Sequence, residues 1–238
     1  MRFIASFFVL ISVLFLSPAA IAQDYRDIGR RFTITPPPGW IRIPDADITK
    51  FDTFVADRIK DRNFHYIAGF TKNVKTPLEV PYVLIQETNV RLKGGNYNGL
   101  EESLRTIDLS QVSKDAAANL TDVVKDFRSD QWVVDKTHNR MMMNIHLTDA
   151  RNQRVKGLCT AFFGEESIIQ INCYAAGPKF DASLKDFDAF NEGFSYDPGA
   201  QFQPVRSFGV LSGAAKGAII GISISIVWFI YKRLKGEE

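Results

Sequence analysis

The chain has 238 residues, 45% hydrophobic and 24% charged, which fits one ordinary globular domain with extra apolar segments and excludes a disordered or collagen-like chain. Its 29 Lys and Arg against 27 Asp and Glu give a net charge of +2, so no charge field points to nucleic acid or a polyanion. Two cysteines rule out a disulfide-dense miniprotein.

The N-terminus reads as a targeting signal. Met1-Arg2 is followed by an apolar run from Phe3 to Leu16, then Ser17-Pro18, and Ala20-Ile21-Ala22 offers a small-x-small cleavage site before Gln23. Residues 1–22 are therefore expected to be a cleaved signal peptide. The alternative, an uncleaved anchor, needs a run nearer to about 20 residues. The mature chain is expected outside the cytosol, as a periplasmic or otherwise extracytoplasmic domain over 23–197.

That domain reads as mixed strand and helix. Arg31–Thr35 alternates into Pro36-Pro37-Pro38-Gly39, and Trp40 to Ile43 alternates again. Ile48, Phe51, Val55 and Ile59 recur at helical spacing over 47–60, with acids first and bases last as the helix dipole prefers. Residues 64–72 and 82–90 read as strands, 100–107 and 111–127 as helices. Residues 131–137 and 141–148 form a hairpin around His138-Asn139-Arg140, and 155–163 with 167–175 another around Gly164-Glu165-Glu166. Phe180, Leu184, Phe187, Phe190 and Phe194 stripe a closing helix stopped by Pro198. The expected class is α+β, an antiparallel sheet covered by helices in an α/β/α sandwich, plus one C-terminal transmembrane helix.

Pro198 to Pro204 reads as part of a short linker, 198–207, that lifts the domain off a membrane. From Phe208 to Tyr231 there are 24 residues with one charge, Lys216, and Gly217–Tyr231 holds six Ile. At 1.5 Å per residue this is roughly 36 Å of helix, enough to cross a bilayer. Lys216 lies near the outer end, where its stem can snorkel. Trp228 and Tyr231 suit the interfacial belt, and Lys232, Arg233 and Lys235 place a cytoplasmic tail at 232–238. The expected topology is single-pass in the inner membrane, N-out and C-in; a buried core helix or a surface amphipathic helix is the alternative. Gly209, Gly213, Gly217, Gly221 and Ser225 recur every four residues, so they share one helix face. Such small-xxx-small steps let a second backbone approach closely in lipid, through self-association or a partner's span.

Cys159 and Cys173 fall on the two arms of one hairpin. A three-residue loop of Glu165–Ser167 pairs 159 with 173 on one face, with Ala161, Phe163, Ile169, Ile171 and Ala175. A disulfide is expected in an oxidising compartment; a pair of buried free thiols is the alternative.

The segment Phe32-Thr-Ile-Thr-Pro-Pro-Pro-Gly39-Trp40, the late paired strands and the terminal Phe-Asn-Glu-Gly-Phe-Ser195 stretch resemble the PsbP-like (Mog/PsbP) fold superfamily over about residues 30–197 by order of elements. The resemblance implies an antiparallel sheet between helices, and a binding or assembly role more often than an enzymatic one. It assigns no ligand and carries no functional residues. The membrane anchor and the helix over 47–60 depart from the usual pattern.

Sites for chemistry are sparse. His138 and His146 bracket Met141-Met142-Met143, a thioether and imidazole set that suits copper, but strand alternation turns Met141 and Met143 away from Met142 and His146. His65 lacks a partner at ligand spacing, and the Gly-x-Ser-x-Gly, Ser-x-x-Lys and His-Glu-x-x-His motifs do not occur. Asn119-Leu120-Thr121 is a formal glycosylation sequon that the bacterial-looking signal makes incidental. No catalytic residue, metal ligand or cofactor is expected, and no nucleic acid. The expected partners are the membrane and a protein or second copy met through the transmembrane helix. The alternatives are an extracytoplasmic hydrolase and a small-ligand or metal sensor with an unrecognised site.

Overall fold

The computed structural model describes residues 23–58, 63–89, 97, 124–149 and 152–204. The signal peptide expected over 1–22, the helix expected over 100–107, all but the end of that over 111–127, and the segment 208–231 with Gly209, Gly213, Gly217, Gly221 and Ser225 lie outside the described residues. Among the described residues no helix is long and apolar enough to cross a membrane.

The described elements are β1 (Tyr25–Asp27), β2 (Phe32–Ile34), β3 (Ile41–Arg42), α1 (Asp45–Arg58), β4 (Phe64–Thr71), β5 (Tyr82–Asn89), β6 (Val124–Ser129), β7 (Val133–Asp135), β8 (Arg140–Asp149), β9 (Arg154–Phe163), β10 (Ser167–Ala176), a 3-10 turn (Gly177–Lys179), α2 (Phe180–Glu192) and β11 (Phe194–Tyr196). An eight-stranded antiparallel sheet runs in the order β3-β4-β5-β10-β9-β8-β6, with β7 also paired to β8, and a small sheet orders β1-β2-β11. The fold is a sheet-rich α+β arrangement.

The two central strands are buried on both faces: all but one residue each of β5 and β10 is buried. β8, nearer the edge, alternates between buried and partly exposed positions, so only one of its faces is covered. On the first face, Ile48, Phe51 and Val55 of α1 pack with Phe64, Tyr66, Leu84, Met143, Ile145, Cys159 and Tyr174. On the second, Phe180, Phe187 and Phe190 of α2 pack with Trp40, Phe70, Ile169, Ile171, Cys173 and the small-sheet residues Phe32 and Ile34. Trp40 after the Pro-Pro-Pro-Gly39 turn meets Phe190 edge-on at 5.0 Å. A bulge between Tyr66 and Ala68 adds one residue to β4, so Tyr66 serves the first face while Ala68 and Phe70 serve the second.

Three expectations are corrected. Residues 124–127, expected at the end of a helix over 111–127, instead belong to β6, with Phe127 opposite Leu147 on the edge of β8; pairing with an open strand edge overrides the helical spacing. α2 ends at Glu192, ahead of Pro198: the Gly193 carbonyl accepts from the Thr35 amide at 3.0 Å instead of from the next helical turn, and the chain passes so close there that a Cβ would collide with the Thr35 carbonyl oxygen. Phe194 consequently lies in β11.

The third concerns the cysteines, which are free thiols. The Gly164 amide donates to the Ser167 carbonyl at 3.0 Å, closing a two-residue loop of Glu165-Glu166 in place of a three-residue one. Register shifts by one: Cys159 opposes Asn172, and Cys173 opposes Leu158. A one-residue shift reverses the facing of a strand. Cys159 sits in the first core and Cys173 in the second, so the sheet itself separates the two side chains.

Candidate functional site

Two features of the described chain go beyond packing: a strap across one end of the sheet, and a row of buried amides on the first face.

The strap is built from the residues expected to be a free linker. After β11 the Asp197 amide donates to the Arg31 carbonyl, and the Arg31 guanidinium donates to the Pro198 carbonyl at 2.6 Å. Gly199, at φ +76°, turns the chain in a conformation that favours glycine. The Ala200 carbonyl accepts from the Glu165 amide at 2.9 Å, Gln201 bridges Gly164, and the Phe202 amide donates to the Phe163 carbonyl at 3.0 Å. The Asn139 side chain donates to the Phe202 carbonyl at 3.0 Å, while Phe202 itself is buried against Phe163 and Tyr97. Tyr97 donates its hydroxyl to Asn139. Residues 197–202 thus belong to the domain, which corrects the reading of 198–207 as a spacer throughout.

The turns beneath the strap are held by ion pairs. Arg30 joins Asp27 at 2.9 Å and Glu87 at 2.6 Å, and Arg26 meets Asp197 at 3.2 Å. Tyr196 donates to the Phe162 carbonyl at 3.1 Å, and burial pushes its hydroxyl far above the ordinary tyrosine range. At the β7–β8 turn, burial raises Asp135, but hydrogen bonds from His138 and Arg140 outweigh it and hold the carboxyl below its usual range.

The amide row crosses the central strands. Gln86 and Gln170 are directly opposed, and the Gln86 amide donates to Gln170 Oε1 at 3.1 Å and to Thr88 Oγ1 at 3.3 Å. Asn172, two positions along β10, opposes Leu84 and Cys159. All three amides are fully buried, and Gln86 Oε1, Gln170 Nε2 and both polar atoms of Asn172 have no hydrogen-bond partner among the described residues. Each such orphan costs about 1–3 kcal/mol. The row offers donors and acceptors without charge, a chemistry that suits a neutral amide, hydroxyl or water and disfavours an ion. Sequence reading missed it because Gln170 and Asn172 alternate with Ile169, Ile171 and Cys173, which looks like a half-exposed strand. The signal was that helices were expected on both sides of the sheet.

The remaining candidates stay apart. His65 faces Asp52 at 3.6 Å, His138 faces Asp135 at 2.7 Å and His146 faces Asp130 at 3.6 Å, each on a different element. Met143 joins the first core and Met141 is buried two positions along the same strand, whereas Met142 and His146 oppose Thr160 and Lys156 on the other side. Among the described residues no group of three or more His, Cys, Asp and Glu is placed to hold a metal ion. Burial pushes both thiols well above their usual range, that of Cys173 further helped by Cys159 and Asp188, so neither is a ready nucleophile.

No family model matches the chain, and no curated protein matches it in sequence. Among solved structures it is similar to the cyanobacterial PsbP (CyanoP) of Synechocystis sp. PCC 6803, at 11% identity and a TM-score of 0.43, covering 73% of this chain and 91% of that one. It is also similar to LpqN of Mycobacterium tuberculosis, described as involved in cell envelope biogenesis, at 11% identity and a TM-score of 0.35, covering 70% and 83%.

Proposed function

We propose that this is a non-catalytic, extracytoplasmic binding or assembly protein, held on the inner membrane by residues 208–231 and associating with a protein partner or second copy through the face of Gly209, Gly213, Gly217, Gly221 and Ser225. The observation that carries the reading is the strap. The last described residues are built into the domain up to Phe202, only six positions in sequence before an apolar segment long enough to span. A domain fixed this closely to its anchor moves with it, as an adaptor requires. The three His–Asp pairs, each on its own element, fit solvated or structural roles better than a converging catalytic set.

The test is a crosslinked pull-down of the full chain from native membranes beside a chain ending at Pro204. A partner captured only with the anchor supports the reading; capture of the same partner by both moves the binding surface to the folded domain; capture by neither counts against an adaptor. A second reading, a sensor for a small neutral ligand, is favoured by the orphaned amides of Gln86, Gln170 and Asn172.

A further inference from the structure

We infer that the strapped end of the sheet rests on the lipid headgroup layer, with Ile28 at the tip of the β1–β2 turn set into the interface. This rests on the anchored reading above and adds which surface of the domain the membrane meets.

Ile28 is 81% exposed, the most exposed large apolar side chain among the described residues. Its exposure is built into the fold, for the turn is not a frayed one. The Asp27 carboxylate accepts from the Arg30 amide at 2.9 Å, and the Arg30 guanidinium clamps Asp27 and Glu87. The turn lies at the end that the strap crosses, since Arg31 bonds both Asp197 and Pro198.

Chain length sets the distance. Phe202 is fixed against Phe163 and Asn139. Six steps separate it from position 208, so even a fully extended connection reaches only about 20 Å. A span beginning at 208 therefore draws this end toward the bilayer, while the β4–β5 connection, beyond the Thr71–Tyr82 pair at the far end of the strands, points away.

The local chemistry suits the headgroup layer. Arg30 offsets one of the two charges of Asp27 and Glu87, and Arg26 offsets that of Asp197. The exposed Arg31 has no carboxylate partner among the described residues and carries guanidinium donors beyond the one spent on Pro198, which a lipid phosphate can accept. Glu165 and Glu166 on the neighbouring turn limit the pull of anionic lipid, which makes an apolar tip beside one free Arg the working contact. An apolar side chain set into the interface with a cation beside it combines the two forces that hold amphipathic elements at the headgroup layer, apolar burial and attraction to lipid phosphate.

The experiment uses the full chain in vesicles of phosphatidylcholine and phosphatidylglycerol. Ile28→Cys and, at the far end, Val74→Cys, itself 71% exposed, each carry a polarity-sensitive fluorophore. Cys159 and Cys173 are buried and stay unlabelled. Lipid-borne quenchers are expected to quench the label at 28 several-fold more than that at 74, with a blue-shifted emission at 28 alone. Equal, weak quenching at both positions in protein that resists alkaline carbonate extraction overturns this inference and leaves the anchor standing. Release of the protein by carbonate overturns both.

Discussion

The two faces of the central strands are both buried, by different chemistry. The second face is apolar and aromatic where α2 covers it, with Trp40, Phe70, Phe187 and Phe190 in ring contact. The first face carries Gln86, Thr88, Gln170 and Asn172 across its middle, beside Tyr66, Leu84 and Cys159. The second is built for cohesion. The first gives up part of that cohesion to keep a neutral polar row, and such rows are retained where position or a ligand matters more than stability.

The largest expected contrast is in truncation. Phe190→Ala, deleting a fully buried ring from the second face, is expected to cost about 3–5 kcal/mol in urea unfolding. Asn172→Leu on the first face is expected to be neutral or stabilising, because it removes an amide whose side chain bonds to none of the described residues. Next comes the turn that sorts residues between the faces. A Cβ at Gly164 would sit 2.7 Å from the Ser167 carbonyl oxygen and 2.9 Å from the Tyr196 ring, so Gly164→Ala is expected to lower stability by about 1–3 kcal/mol.

Within the row, Gln86→Leu strands Gln170 Oε1 and is expected to cost about 1–3 kcal/mol, most of it recovered by Gln86→Leu with Gln170→Leu. A double-mutant cycle without that recovery would mean that the amides hold something besides each other. Because one thiol lies on each face, iodoacetamide without reductant is expected to label neither in the native protein and both after unfolding. A native mass two hydrogens short would restore the disulfide.

The smallest effect lies off both faces. The Asp135 carboxyl is held below its usual range, so the stability it contributes is present above the unfolded pKa and falls away as the pH drops below about 4. Asp135→Asn is expected to flatten that part of the pH–stability curve only slightly.

Much of this was legible in the chain. The Ile48, Phe51 and Val55 spacing placed α1 within two residues at each end, and the Phe180–Phe190 stripe placed α2. The β9–β10 hairpin was found, but its register was not, because loop length differs by one residue between Glu165-Glu166 and Glu165–Ser167 and local sequence does not decide it. The same slip produced the disulfide. Pro198 and Gly199 read as linker because turn residues look alike in a spacer and in a strap; only the bonds to Glu165, Phe163 and Asn139 tell them apart.

The most direct test of the anchored, associating protein is crosslinking of the full chain in native membranes against Gly213→Ile and Gly217→Ile. The account predicts that both variants stay membrane-bound after carbonate extraction while their crosslinked species disappear. Crosslinking unchanged by both substitutions, or release of the unsubstituted protein by carbonate, would contradict it.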